Sequence, residues 1–129
     1  MTEKLMEVKL YQLAVEAQQA TEAAAGQFPP FEGLALSIQL KKAAKAAVAH
    51  VTEAFGRHNA GDRIRLLRLA QESSEQVVKG LGAALKSKLI KQPEYDALKE
   101  QWAAANGEIE EHVGFLEAGG EMDAPLPGT

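Results

Sequence analysis

The sequence predicts an all-α fold, a four-helix bundle of up-down-up-down topology, and three observations carry that prediction. Apolar residues recur at alternating spacings of three and four along four separate segments. Short connections rich in Gly, Pro and Asn divide these segments. No stretch shows the strict alternation of a half-buried strand. At 129 residues, 46% of them apolar, the chain is sufficient for one domain with its own core.

The first helix is expected from about Glu3 to Ala25, with Met6, Leu10, Leu13, Ala17, Ala20 and Ala24 as its seam and Leu5, Val8 and Val15 widening it. Gly26 terminates it, and Gln27-Phe28-Pro29-Pro30-Phe31 forms the connection, with Phe28 and Phe31 plugging the bundle end. The second helix is expected to begin near Pro30, since proline suits a first turn. Leu36, Leu40, Ala43 or Ala44, Ala47, Val51 and Ala54 form its seam.

Gly56 weakens that helix and Arg57-His58-Asn59-Ala60-Gly61 makes the corner. Asn59 or Asp62 caps the third helix by accepting from its free amides. There Ile64, Leu67, Gln71, Ser74, Val78, Leu81 and Leu85 keep the rhythm, and Gly80 and Gly82 suit close approach of a neighbouring helix. The fourth helix begins at Pro93 with Gln92 as a weak cap, and buries Tyr95, Leu98, Trp102, Ala105, Ile109, His112 and Leu116. Residues 1–118 then form a single bundle domain, followed by a flexible Gly/Pro-rich tail over 119–129. Alanine fills many seam positions and each buries little area at about 25 cal/mol per Å², which favours further burial between subunits.

Charge is partitioned along the chain beneath a net value of −4. Residues 1–32 hold five carboxylates against two lysines, 33–91 eleven cations against four carboxylates, and 92–129 nine carboxylates against Lys99. Lys41, Lys42, Lys45, Arg57, Arg63, Arg65 and Arg68 are the candidate contacts to nucleic acid, because phosphates require such cations. The chain is nevertheless acidic overall and lacks the interleaved aromatics of single-strand binders. A basic helix pair opposite acidic helices also satisfies itself within or between subunits.

Enzyme chemistry finds little support. Cysteine is absent, and no serine carries a nearby His with an orienting carboxylate. Facing Glu-x-x-His pairs, which bundles use for metals, do not occur, so neither metal nor cofactor is expected. The N-terminus has no basic, signal-like start, and no run approaches the roughly 20 apolar residues of a membrane span. A cytoplasmic protein is the expectation. Glu53 and Arg57 stand at i, i+4 in the favourable order, and with His50 they are expected to organise a bundle end or a subunit contact.

Phe28-Pro29, Gln39-Leu40-Lys41-Lys42-Ala43-Ala44, Glu53, Gly56-Arg57 and Arg65-Leu66-Leu67-Arg68-Leu69-Ala70 occur in a fixed order across roughly residues 5–117. In that order the chain resembles the bacterial four helix bundle protein family, also called the 23S rRNA-intervening sequence protein family. His50 replaces a usual Asn, Ala54 a Gly, Ala46 a frequent Ser and Glu72 a small residue. The resemblance implies a left-handed antiparallel bundle and a ring-shaped homopentamer. A related branch includes the accessory proteins of diversity-generating retroelements, which are basic and bind nucleic acid. The resulting expectation is a non-enzymatic, self-assembling scaffold or binding module. The alternative is an accessory protein that binds RNA or DNA through a basic surface of the second and third helices.

Overall fold

The computed structural model describes residues 2–120. They form α1 (Thr2–Ala25), α2 (Leu34–Phe55), α3 (Ala60–Lys86) and α4 (Gln92–Glu117), with no strand among the described residues. Most of the tail expected over 119–129 lies outside them. Each helix packs on two neighbours, α1 and α3 both touching α2 and α4, so the four axes occupy the corners of a square. Contacts run antiparallel between α1 and α4 and between α3 and α4. Thr21 meets Trp102 while Lys9 meets Glu108, and Arg68 meets Glu110 while Ser74 meets Asn106.

Local chemistry sets the boundaries. Asn59 caps α3, its side chain accepting from the Asp62 amide at 3.0 Å. The expected start of α2 near Pro30 moves to Leu34, because residues 30–33 form a turn in which the Gly33 amide donates to the Pro29 carbonyl at 2.9 Å. Phe28 is 8% exposed and does plug the end, but Phe31 is 95% exposed and lies outside it. The ends of α3 and α4 share one motif, in which two amides past the helix reach back to its last carbonyls. At α4 these are Gly119 to Leu116 and Gly120 to Phe115, with Gly119 at φ 84°. At α3 they are Lys88 to Leu85 and Leu89 to Ala84, and the left-handed position is held by Lys88 at φ 63°.

Two apolar clusters stack along the bundle. One gathers Phe28, Leu40, Val77, Leu81, Leu98 and Trp102; the other gathers Leu10, Val51, Leu66, Leu67, Ile109 and Val113. The Trp102 indole donates to the Thr21 hydroxyl at 2.9 Å, which satisfies both polar atoms inside the first cluster. The seams of α2 and α4 lie as the spacing predicts.

Those of α1 and α3 are rotated by part of a turn. On α1 the buried positions are Glu3, Leu10, Ala14, Ala17, Thr21 and Ala25, leaving Leu5 69% and Val8 52% exposed. On α3 the expected Leu67, Ser74 and Leu81 are buried, but so are Arg63, Leu66, Ala70, Ser73, Val77 and Gly80, while Ile64, Val78 and Leu85 are only half-buried. Polar residues turn inward on both helices, and a count of apolar residues alone misplaces the stripe.

Gly80 marks a close approach of α3 to α2. A Cβ there would lie 2.7 Å from Cδ2 of Leu40, itself 1% exposed in the core. Gly80→Val should therefore cost about 1–3 kcal/mol through overpacking. Lys88→Gly should add about 0.5–1 kcal/mol by relieving the left-handed backbone. Urea unfolding of the two variants checks both signs.

Candidate functional site

At one end of the bundle the start of α1, the end of α2, the start of α3 and the last turns of α4 enclose a cluster of charged groups. Arg63, on the first turn of α3, is 5% exposed. One terminal nitrogen of its guanidinium donates to Glu3 and, at 2.8 Å, to Glu7. The other donates to the carbonyls of Phe55 at 3.2 Å and Arg57 at 2.9 Å. These carbonyls close α2, where unpaired acceptors and the peptide dipoles favour a cation. The Phe55 ring lies 5.9 Å from the guanidinium carbon and 5.7 Å from the ring of His112.

His112 is fully buried, and neither ring nitrogen has a hydrogen-bond partner. Its Nε2 stands 3.9 Å from a Glu3 oxygen, beyond hydrogen-bond range. Burial foremost, and then the Arg63 charge, lowers its pKa against the opposing pull of Glu3. The ring is therefore held neutral. Burial raises the carboxyl of Glu7, and Arg63 partly offsets that rise. Two carboxylates, a guanidinium and an imidazole could in principle move protons, but Glu3 is 2% and Arg63 5% exposed, so a substrate has no access to them in this conformation. The arrangement joins helices.

The seven candidate cations divide accordingly. Arg63 is in the interior. Arg68 pairs across to α4 with Glu110 at 2.5 Å and Glu117 at 3.7 Å. Hydrogen bonds from Gln71 and Arg68 lower the Glu110 pKa. Arg57 pairs with Glu53 at 2.8 Å on the surface, as the i, i+4 spacing predicts. Lys41, Lys42, Lys45 and Arg65 are exposed and have no ion pair among the described residues. Arg65 lies beside the end of α2 whereas the lysines lie near its middle, so the four do not form one patch.

Of the three bundle-end candidates, Glu53 and Arg57 are exposed beside the buried cluster, and the Arg57 backbone carbonyl joins it. His50 is half-buried on α2, with Nδ1 buried and unpartnered. Spacing offered one signal for the buried set. Arg63 shares its stripe with Leu67, Ala70 and Val77 at i+4, i+7 and i+14.

Two shallow grooves run between helices. One, of about 440 Å³, is lined by Leu13 and Glu16 of α1 and Ala97, Glu100, Gln101 and Ala104 of α4. The other, of about 260 Å³, lies between α3 and α4 and includes Val78, Lys99 and Ala103. Among the described residues no group of three or more His, Asp or Glu is placed to hold a metal ion, and no helix is long and apolar enough to cross a membrane.

The family model described as 23S rRNA-intervening sequence protein matches residues 6–111. The matched range takes in Glu7, Arg63 and both grooves, while Glu3 and His112 fall just beyond its ends. No curated protein matches the chain.

The buried cluster makes two predictions. Arg63→Ala should cost about 3–5 kcal/mol by leaving buried carboxylates without their cation. Arg57→Ala, at an exposed pair, should change stability by no more than about 0.5 kcal/mol. Denaturant titration of the two variants compares them directly. His112 binds a proton more weakly folded than unfolded, so its contribution to stability is complete above the ordinary histidine pKa and is lost as pH falls through the lowered folded value. Stability should begin to fall as pH drops below the ordinary histidine value of about 6.5, and His112→Phe should flatten that fall. Glu7, whose pKa is raised, has the opposite sign and loses its contribution as pH rises.

Proposed function

Since the chain belongs to the 23S rRNA-intervening sequence protein family, we propose that it acts as a non-enzymatic scaffold or binding module that assembles with copies of itself. The observation that carries this reading is the set of large apolar side chains left in solvent. Leu5, Val8, Tyr11, Phe31, Leu34 and Ile38 are 46–95% exposed, and all belong to α1, α2 or the turn between them. Isolated exposed apolar residues are ordinary, but a series confined to two adjacent helices marks a surface that another protein covers. The core adds support, since alanine occupies buried positions on all four helices and limits the area that a single chain can bury.

The reading as a nucleic-acid accessory protein draws on Lys41, Lys42, Lys45 and Arg65, the candidate cations free of ion pairs. It is the weaker of the two. Arg63 is committed to the interior and Arg57 and Arg68 to carboxylates, which takes three of the seven candidate cations from a phosphate track. The ring-shaped homopentamer that the resemblance implies gives the assembly a definite mass.

Light scattering behind size exclusion should give a particle of about five times the 13.8 kDa chain mass, persisting from about 50 to about 200 mM salt. A monomer at every concentration would refute self-assembly. Anisotropy titration with structured RNA and duplex DNA over the same salt range should show no steep salt-dependent affinity. Micromolar binding that collapses with salt would favour the accessory reading instead.

A further inference from the structure

Resting on the self-assembly reading, we propose that the groove between α1 and α4 of one copy receives the outer edge of α2 from another. The α2 edge is a single stripe. Phe31, Leu34, Ile38, Lys41 and Lys45 follow one another at spacings of three and four, the period that keeps residues on one side of a helix. Phe31 is 95%, Leu34 56% and Ile38 58% exposed, and both lysines are exposed without an ion pair. The stripe is apolar in its first half and cationic in its second.

The groove has the complementary character. Leu13, Ala97 and Ala104 give it a low apolar lining, and Glu16 and Glu100 stand on opposite sides of it. Neither carboxylate has an ion pair among the described residues. The neighbouring acids of α4 are engaged, Glu108 with Lys9 and Glu110 with Arg68. Two unpaired anions therefore border the groove, and unpaired cations lie on the α2 edge. A helix presenting residues at i, i+4 and i+7 fits such a groove in the manner of helix-in-groove recognition.

Charge selects among occupants. Two α2 edges packed in parallel would place lysines against lysines, at a cost of several kcal/mol, and packed antiparallel would press the lysines onto Phe31 and Leu34 with no carboxylate to pair them. Nucleic acid would engage the lysines but would leave Phe31, Leu34 and Ile38 uncovered. The acidic groove of a second copy covers both halves of the stripe. The contact is also heterologous. The α2 and α4 axes occupy opposite corners of the square and their contact, Phe55 on His112, lies in the interior, so a copy with its groove filled still presents its own α2 edge to the next.

The test is charge reversal and its repair, read by light scattering on the full chain, with circular dichroism confirming that each variant is folded. Lys41→Glu/Lys45→Glu and Glu16→Lys/Glu100→Lys should each weaken assembly at least about a hundredfold and release the 13.8 kDa chain. The combined fourfold variant should regain the wild-type mass, because the complementary pairs are restored with opposite sign. Unchanged mass in either double variant, or failure of the fourfold variant to reassemble, would overturn the pairing of these two surfaces while leaving self-assembly intact. A monomeric wild type would remove both proposals. If Lys41→Glu/Lys45→Glu abolished RNA binding and left the mass unchanged, the α2 edge would belong to phosphate and the inference would fail.

Discussion

Arg63 is the constraint on which the rest of the bundle end depends. A guanidinium with so little exposure is tolerable only if most of its donors are satisfied; its two terminal nitrogens find partners on α1 and at the closing carbonyls of α2, while Nε is buried without one. Meeting that requirement fixes the rotation of α1, since Glu3 and Glu7 must both face inward. It also fixes the corner between α2 and α3, since the carbonyls of Phe55 and Arg57 must both point at one side chain. Phe55 in turn packs against His112 and brings α4 into the same unit. Four helices thus meet around one cation.

The price of that rotation is visible outside. Turning Glu3 and Thr21 into the core carries Leu5 and Val8 into solvent, so the polar interior and the apolar surface of α1 have one cause. A surface of this kind costs solubility unless something covers it. The division of charge follows the same logic. Cations that face α4 have found carboxylates across the helix interface, as Arg68 has with Glu110. The lysines of the α2 edge face away from both acidic helices and remain available to a partner.

Much of the fold was legible in the sequence because its strongest signals are local. Four periodic segments, Asn59 as a cap and Gly80 as a point of close approach all follow from residue type and spacing. The seams of α2 and α4 were also readable, because Leu40, Val51, Trp102 and Ile109 mark them with large apolar groups. The seams of α1 and α3 were readable only in part: Leu10, Ala17, Leu67 and Leu81 are buried as expected, but Glu3, Thr21, Arg63 and Ser73 occupy buried positions that apolar counting assigns to solvent. Pairing decides those positions, and pairing joins residues as far apart as Glu3 and Arg63. Which cations of the basic surface are engaged was not legible for the same reason: charge is countable in a sequence, whereas the engagement of each charge by another helix is not. Phe31 shows a further limit, since nothing in its neighbourhood distinguishes it from Phe28, yet one is buried and the other exposed.

The hydrogen bond between Thr21 and Trp102 has a consequence for the chain as it is made. Those two residues are separated by 81 positions, so the fourth wall of the square closes only after nearly the whole chain has left the ribosome. Until then α1 can pack on α2, and α2 on α3, but Leu10 and Thr21 lack the α4 side of their surroundings. The nascent three-helix intermediate would expose an inner apolar face together with the outer one on α1. Synthesis of several copies on one message would bring such intermediates close together, and the speed with which α4 docks would then set how much of the product assembles rather than aggregates.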